Sequence, residues 1–121
     1  MKKILAVDDQ SEVLNTLVDF LKDEDYEVYP AKTTTRAFSL LHQVKFDLIL
    51  LDVLMPGMSG IEFLDYAKKQ IWYENTPVIY VSSETDFNTV AQAINLGAES
   101  YIKKPVEKEV LLAKIKAVLS K

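Results

Sequence analysis

The sequence predicts an α/β fold: a doubly wound parallel sheet of five strands with helices on both faces. Short apolar runs stand at residues 4–7, 26–29, 48–51, 78–81 and 100–103, each bounded by polar or turn residues. Between them, apolar residues recur at helical spacing. Leu14, Leu17, Val18 and Leu21 form one stripe; Ala37, Leu40, Leu41 and Val44 a second; Phe87, Val90, Ala91 and Ile94 a third. Strands and helices in strict alternation imply five βα units, because each crossover helix returns the chain to the same end of the sheet.

Each strand's composition suggests its place. The first, third and fourth runs are continuously apolar, as expected where helices cover both faces. The second contains Glu27 and the fifth contains Ser100 and Lys103, which suits sheet edges. The order 2-1-3-4-5, that of flavodoxin-like (βα)5 folds, puts those two strands outermost. It also creates a switch point between the first and third strands, where open α/β sheets bind ligands. Helix boundaries are marked as well. Ser59 with Glu62 three residues later reads as a capping box opening the third helix. Thr85 and Asp86 can open the fourth, Gly97 can end it in a left-handed conformation, and Pro105 stands at the start of the fifth. No linker or repeat divides the 121 residues, so residues 1–121 read as one domain.

Composition removes several classes of function. Fourteen basic against 18 acidic residues give a formal charge of −4, which argues against direct nucleic-acid binding through phosphate contacts. The absence of cysteine excludes disulfides, thiolate zinc sites and cysteine nucleophiles. One histidine, His42, leaves no room for a multi-histidine metal site. The apolar runs are far too short to span a membrane and no signal peptide opens the sequence, so a soluble cytoplasmic domain is expected. Dinucleotide and P-loop motifs are missing.

Functional residues are expected where the strands deliver the chain to the loops. The first run ends in Asp8-Asp9, the third in Asp52, the fourth in Ser82-Ser83, and the fifth in Lys103-Lys104-Pro105. Three acids, a hydroxyl and a lysine thus converge on one edge of the sheet. Two like charges ~4 Å apart repel by about 4 kcal/mol at an effective dielectric near 20. A raised pKa, a lysine partner or a divalent cation relieves such crowding. Carboxylates with carbonyl and water ligands suit Mg²⁺, often alongside a phosphate, so the cluster points to Mg²⁺-dependent phosphoryl chemistry with Lys104 as charge partner.

These pieces together resemble a response-regulator receiver domain of two-component signalling, over the whole chain. The segments that carry the resemblance are Ile4-Leu5-Ala6-Val7-Asp8-Asp9 and Leu50-Leu51-Asp52, the latter followed by Met55-Pro56-Gly57-Met58-Ser59-Gly60. After them come Pro77-Val78-Ile79-Tyr80-Val81-Ser82-Ser83 and Gly97-Ala98-Glu99-Ser100-Tyr101-Ile102-Lys103-Lys104-Pro105. The resemblance implies that Asp52 is the nucleophile, taking a phosphoryl group from a phosphohistidine on a histidine kinase or phosphotransfer protein. Asp9, Asp52 and the backbone carbonyl of Leu54 would ligate Mg²⁺, with Asp8 acting mainly through water. Lys104 would bind a phosphoryl oxygen, and Val53 and Ser83 would add phosphate contacts. Ser82 and Tyr101 would form the switch, the Ser82 hydroxyl following the phosphoryl oxygen and Tyr101 occupying the vacated space. The Lys104-Pro105 bond is expected to be cis. Output would leave through the fourth helix, fifth strand and fifth helix, toward a downstream protein or a fused output domain, from a monomer or a phosphorylation-dependent dimer. With five βα units filling the chain, no output domain is expected within it.

The sequence departs from the family pattern at Ser82, Ser83 and Val106, where Thr, Ala and Phe are usual. Leu54, two residues past Asp52, offers no hydrogen bond to a hydrolytic water, so slow loss of phosphate is expected. It also argues against a phosphohydrolase, which would want an acid there. A flavin binder would need a hydroxyl-rich loop where Asp8-Asp9-Gln10 stands. A switch without external substrate turnover is therefore the expected function. His42 is expected on a helix surface, Thr33-Thr34-Thr35-Arg36 as a helix cap, and Trp72-Tyr73 as packing under the loop before Pro77. Lys68-Lys69 and Lys114-Lys116 are expected on solvated helix faces.

Overall fold

The computed structural model describes residues 1–52, 60–70, 73, 75–83, 91, 92, 94, 95 and 97–120. The chain runs β1 (Lys2–Val7), α1 (Ser11–Leu21), β2 (Tyr26–Ala31), α2 (Thr34–Gln43), β3 (Leu48–Leu51), α3 (Gly60–Lys68), β4 (Val78–Ser82), β5 (Ser100–Lys103) and α4 (Lys108–Leu119). Residues 91–92 and 94–95, between β4 and β5, are also helical. The last predicted helix is thus α4, and Ser59, Thr85 and Asp86 lie outside the described residues.

The five strands form one parallel sheet in the order β2-β1-β3-β4-β5, with Val7 opposite Leu51 and Ser82 opposite Lys103. Successive side chains of a strand point to opposite faces, and each face builds its own core. Ile4, Ala6, Leu48, Leu50, Ile79, Val81 and Ile102 pack against Leu14, Leu17 and Leu21 of α1 and Leu111, Ile115 and Val118 of α4. Leu5, Val7, Ile49, Leu51, Val78 and Tyr80 pack on the other face against α2 and α3 through Ala37, Leu40, Leu41, Phe63, Leu64 and Ala67. Fully burying one such aliphatic side chain contributes about 1.5–3 kcal/mol, so both layers hold the central strands firmly.

Some boundaries differ from expectation. β2 continues through Pro30 to Ala31. Proline is tolerated there because β2 is an edge strand, paired only with β1. Pro105 lies upstream of the last helix, whose N-cap is Glu107, and the Lys104-Pro105 bond is cis. Ile94, of the third apolar stripe, is 45% exposed. Gly97 has φ +109°, the left-handed region that closes a helix without a Cβ penalty.

Candidate functional site

Three of the converging residues are each the first beyond a strand, and each continues the sheet's hydrogen bonding. The Asp8 N–H donates to Ala31 O at 3.0 Å, the Asp52 N–H to Val7 O at 3.0 Å, and the Lys104 N–H to Ser82 O at 3.0 Å. The backbone of all three is therefore as fixed as the strands. They also keep the parity of Ile4 and Ala6, of Leu48 and Leu50, and of Ile102, so they project to the α1–α4 side.

There they meet. Lys104 Nζ lies 2.8 Å from Asp8 Oδ2 and 3.4 Å from Asp52 Oδ2, with only 12% of its side chain exposed. Oxygens of Asp8, Asp9 and Asp52 fall within 4.8 Å of one another. Lys103, by contrast, is exposed on the edge strand, as the choice between the two lysines requires. Three carboxylates and one ammonium leave two uncompensated negative charges. Asp8 is almost wholly buried, and burial pushes its carboxyl above the ordinary value of 3.8, although Lys104 and the Gln10 N–H pull it down. Its Oδ1 accepts from the Gln10 N–H at 2.9 Å, while Oδ2 is buried with no aligned hydrogen-bond donor beside its ionic contact to Lys104. An all-oxygen set with a residual charge of two and an under-satisfied buried carboxylate oxygen fits Mg²⁺.

Ser82, at the end of β4, is fully buried, and Ser83 beyond it is exposed. The half-buried Tyr101 donates its hydroxyl to the Ser82 backbone carbonyl at 3.2 Å, so the two residues expected to form the switch are neighbours. Val53 and Leu54 lie outside the described residues.

Sequence reasoning missed one site contact. The Gln10 side-chain Oε1 accepts from Lys104 Nζ at 3.0 Å across 94 positions of sequence. Glutamine stands at the α1 N-cap, where a short polar residue would cap, and it makes no cap bond. Two lysine assignments need correction. Lys68 is half-buried and donates to the Thr76 carbonyl; burial pushes its ammonium pKa down, while Glu99 pulls it up. Lys114 donates to Ser100 Oγ at 3.2 Å. Both long stems lie along packed surface with the ammonium reaching a polar partner, which a reading by helix face does not reveal.

The remaining expectations fall out as packing. Thr33 caps α2, accepting from the Arg36 N–H at 3.0 Å. Tyr73 is buried, but its hydroxyl serves the carbonyls at the end of α2, Leu41 O at 3.0 Å and Val44 O at 2.6 Å. His42 is exposed on the last turn of α2, and Trp72 lies outside the described residues.

Comparison with known proteins gives the same assignment. Residues 4–116 match the family model described as response regulator receiver domain. The chain is 35% identical over 118 residues to the phosphate regulon transcriptional regulatory protein PhoB of Pseudomonas aeruginosa, covering 98% of this chain and 52% of that protein. It is 36% identical over 115 residues to the transcriptional regulatory protein CrdR of Helicobacter pylori, covering 95% and 54%. The chain thus spans about half the length of the curated relatives it matches. Among solved structures, the chemotaxis protein CheY4 of Vibrio cholerae is similar with a TM-score of 0.92 at 33% identity over 98% of both chains. A CheY-like receiver domain protein of Methanospirillum hungatei has a TM-score of 0.92 at 34% identity, covering 99% and 94%.

Proposed function

Since the chain belongs to the response regulator receiver domain family of two-component systems, we propose that it is a switch thrown by Mg²⁺-dependent phosphorylation of Asp52. One observation carries the reading: Asp8, Asp9, Asp52 and Lys104 meet at the switch point between β1 and β3.

The donor is a phosphohistidine on a histidine kinase or phosphotransfer protein. An Asp52 carboxylate oxygen attacks phosphorus, a P–O bond forms, the donor's P–N bond breaks, and the imidazole leaves with the N–P electron pair. Asp8, Asp9 and Asp52, with the Leu54 carbonyl, would hold Mg²⁺, which when bound neutralises charge on the transferring group. Lys104 holds a phosphoryl oxygen, and Val53 and Ser83 add contacts to it. Phosphorylation replaces about one negative charge on Asp52 by nearly two and adds acceptor oxygens. The Ser82 hydroxyl follows the new acceptor and Tyr101 moves with it, changing the surface of the fourth predicted helix, β5 and α4. A downstream protein or a fused output domain in the cytoplasm reads that surface, on a monomer or a phosphorylation-dependent dimer. No external substrate is turned over.

Intact-mass measurement after mixing the protein with acetyl phosphate tests this. The expected result is one added phosphoryl group with Mg²⁺, none after chelation, and none in Asp52→Asn. An adduct indifferent to Mg²⁺ or surviving in Asp52→Asn would refute the reading. Repeated turnover of phosphomonoesters would favour a hydrolase instead.

A further inference from the structure

We infer that Gln10 is a positioning residue that holds Lys104 in the unphosphorylated protein and competes with the phosphoryl group for it, an inference that rests on the phosphorylation of Asp52 proposed above. Among the described residues, Lys104 Nζ meets three acceptors: Asp8 Oδ2 at 2.8 Å, Gln10 Oε1 at 3.0 Å and Asp52 Oδ2 at 3.4 Å. An ammonium has three N–H donors, and this one is already crowded by three oxygens, two of them hydrogen-bonded and one a buried ionic contact. A phosphoryl oxygen arriving on Asp52 is a fourth acceptor, and one of the three must give way.

Gln10 is the contact that yields. It is the only neutral partner of the three, so it lacks the Coulombic attraction that holds the ammonium to each carboxylate. It is also the exposed member of the set, whereas Asp8 and Asp52 are buried. Its backbone cannot follow the side chain. The Gln10 N–H is held by Asp8 Oδ1 at 2.9 Å, and its carbonyl accepts from the N–H groups of Val13 at 3.1 Å and Leu14 at 3.2 Å. Only the side chain is free to swing, and doing so frees one donor of Lys104 for the phosphoryl group. Removing the acceptor leaves Lys104 aimed by the two acids, so relief of competition outweighs lost preorganisation.

The test uses beryllofluoride with Mg²⁺ as the acyl-phosphate analogue, and Gln10→Met, which keeps the length and removes the amide. Calorimetric titration is expected to show the analogue bound roughly 3- to 10-fold more tightly by Gln10→Met, the net value of one solvent-exposed hydrogen bond. Gln10→Glu is expected to shift affinity the opposite way, because a charged acceptor holds the ammonium harder and adds like charge beside the site. A readout independent of the bound state is the Lys104 side-chain ¹⁵N resonance in the metal-free protein, which is expected to move in Gln10→Met. Analogue binding unchanged or weakened in Gln10→Met overturns the inference, as does an unmoved Lys104 resonance. If neither wild type nor variant binds the analogue, the proposed phosphorylation of Asp52 fails first and this inference with it. Binding by all variants with equal affinity overturns this inference alone.

Discussion

Among the described residues, Asp8 sits under a sharp conflict between burial and charge. Its side chain is 2% exposed, and burial holds its carboxyl above the ordinary range despite the adjoining ammonium. A raised folded-state value means that folding favours the protonated form. The stability contributed by this group is fully present below 3.8 and is lost as pH rises through the raised folded value. Above that raised value, ionising Asp8 costs the metal-free protein folding free energy. Asp8→Asn is expected to melt a few degrees higher than wild type at pH 7 without Mg²⁺, and to lose the advantage in acid. Wild type is expected to gain about 2.7 kcal/mol when Mg²⁺ reaches ~100 times its Kd, and the variant far less. Thermal melts across pH, with and without Mg²⁺, check both. At this scale the three acids and Lys104 were legible because they stand where apolar runs end. The Gln10 contact was not, because it joins residues 94 positions apart through a side chain that local pattern would place in solvent.

At the scale of elements, periodicity did most of the work. β3 and β5 span the predicted residues, since both are short, bounded by polar residues and paired in register with their neighbours. β2 runs past residue 29 through Pro30, because the open side of an edge strand tolerates a residue without an N–H. Ile94 shows the limit of a periodic stripe: spacing states which residues share a helix face, not how far that face is covered. The Thr33 cap was readable, since a threonine stands just before an apolar repeat. Its value can be measured. Thr33→Ala is expected to lower unfolding free energy by about 1 kcal/mol in urea titrations, while Thr33→Ser costs much less, because serine keeps the oxygen that accepts from the Arg36 N–H. Phosphorylation of Asp52 is expected to be unaffected by either, since α2 packs on the opposite face from the acids.

For the molecule as a whole, the parallel sheet acts as a frame that fixes which strand ends are adjacent. β1 and β3 are neighbours although a strand and two helices separate them in sequence, and this alone brings Asp8 beside Asp52. The formal charge of −4 has a location: the three acids and Lys104 account for half of it within one cluster. Two apolar layers clamp the sheet from both sides, so the cluster stays assembled at an electrostatic cost that a divalent cation can offset. The central claim is that this frame makes Asp52 the one nucleophile among several candidate groups, Ser82, Ser83 and His42 included. Peptide mapping by mass spectrometry after treatment with acetyl phosphate and Mg²⁺ tests it most directly. The account predicts a single hydroxylamine-labile acyl phosphate on the peptide containing Asp52; a hydroxylamine-stable ester on Ser82 or Ser83, or a phosphoramidate on His42, would contradict it.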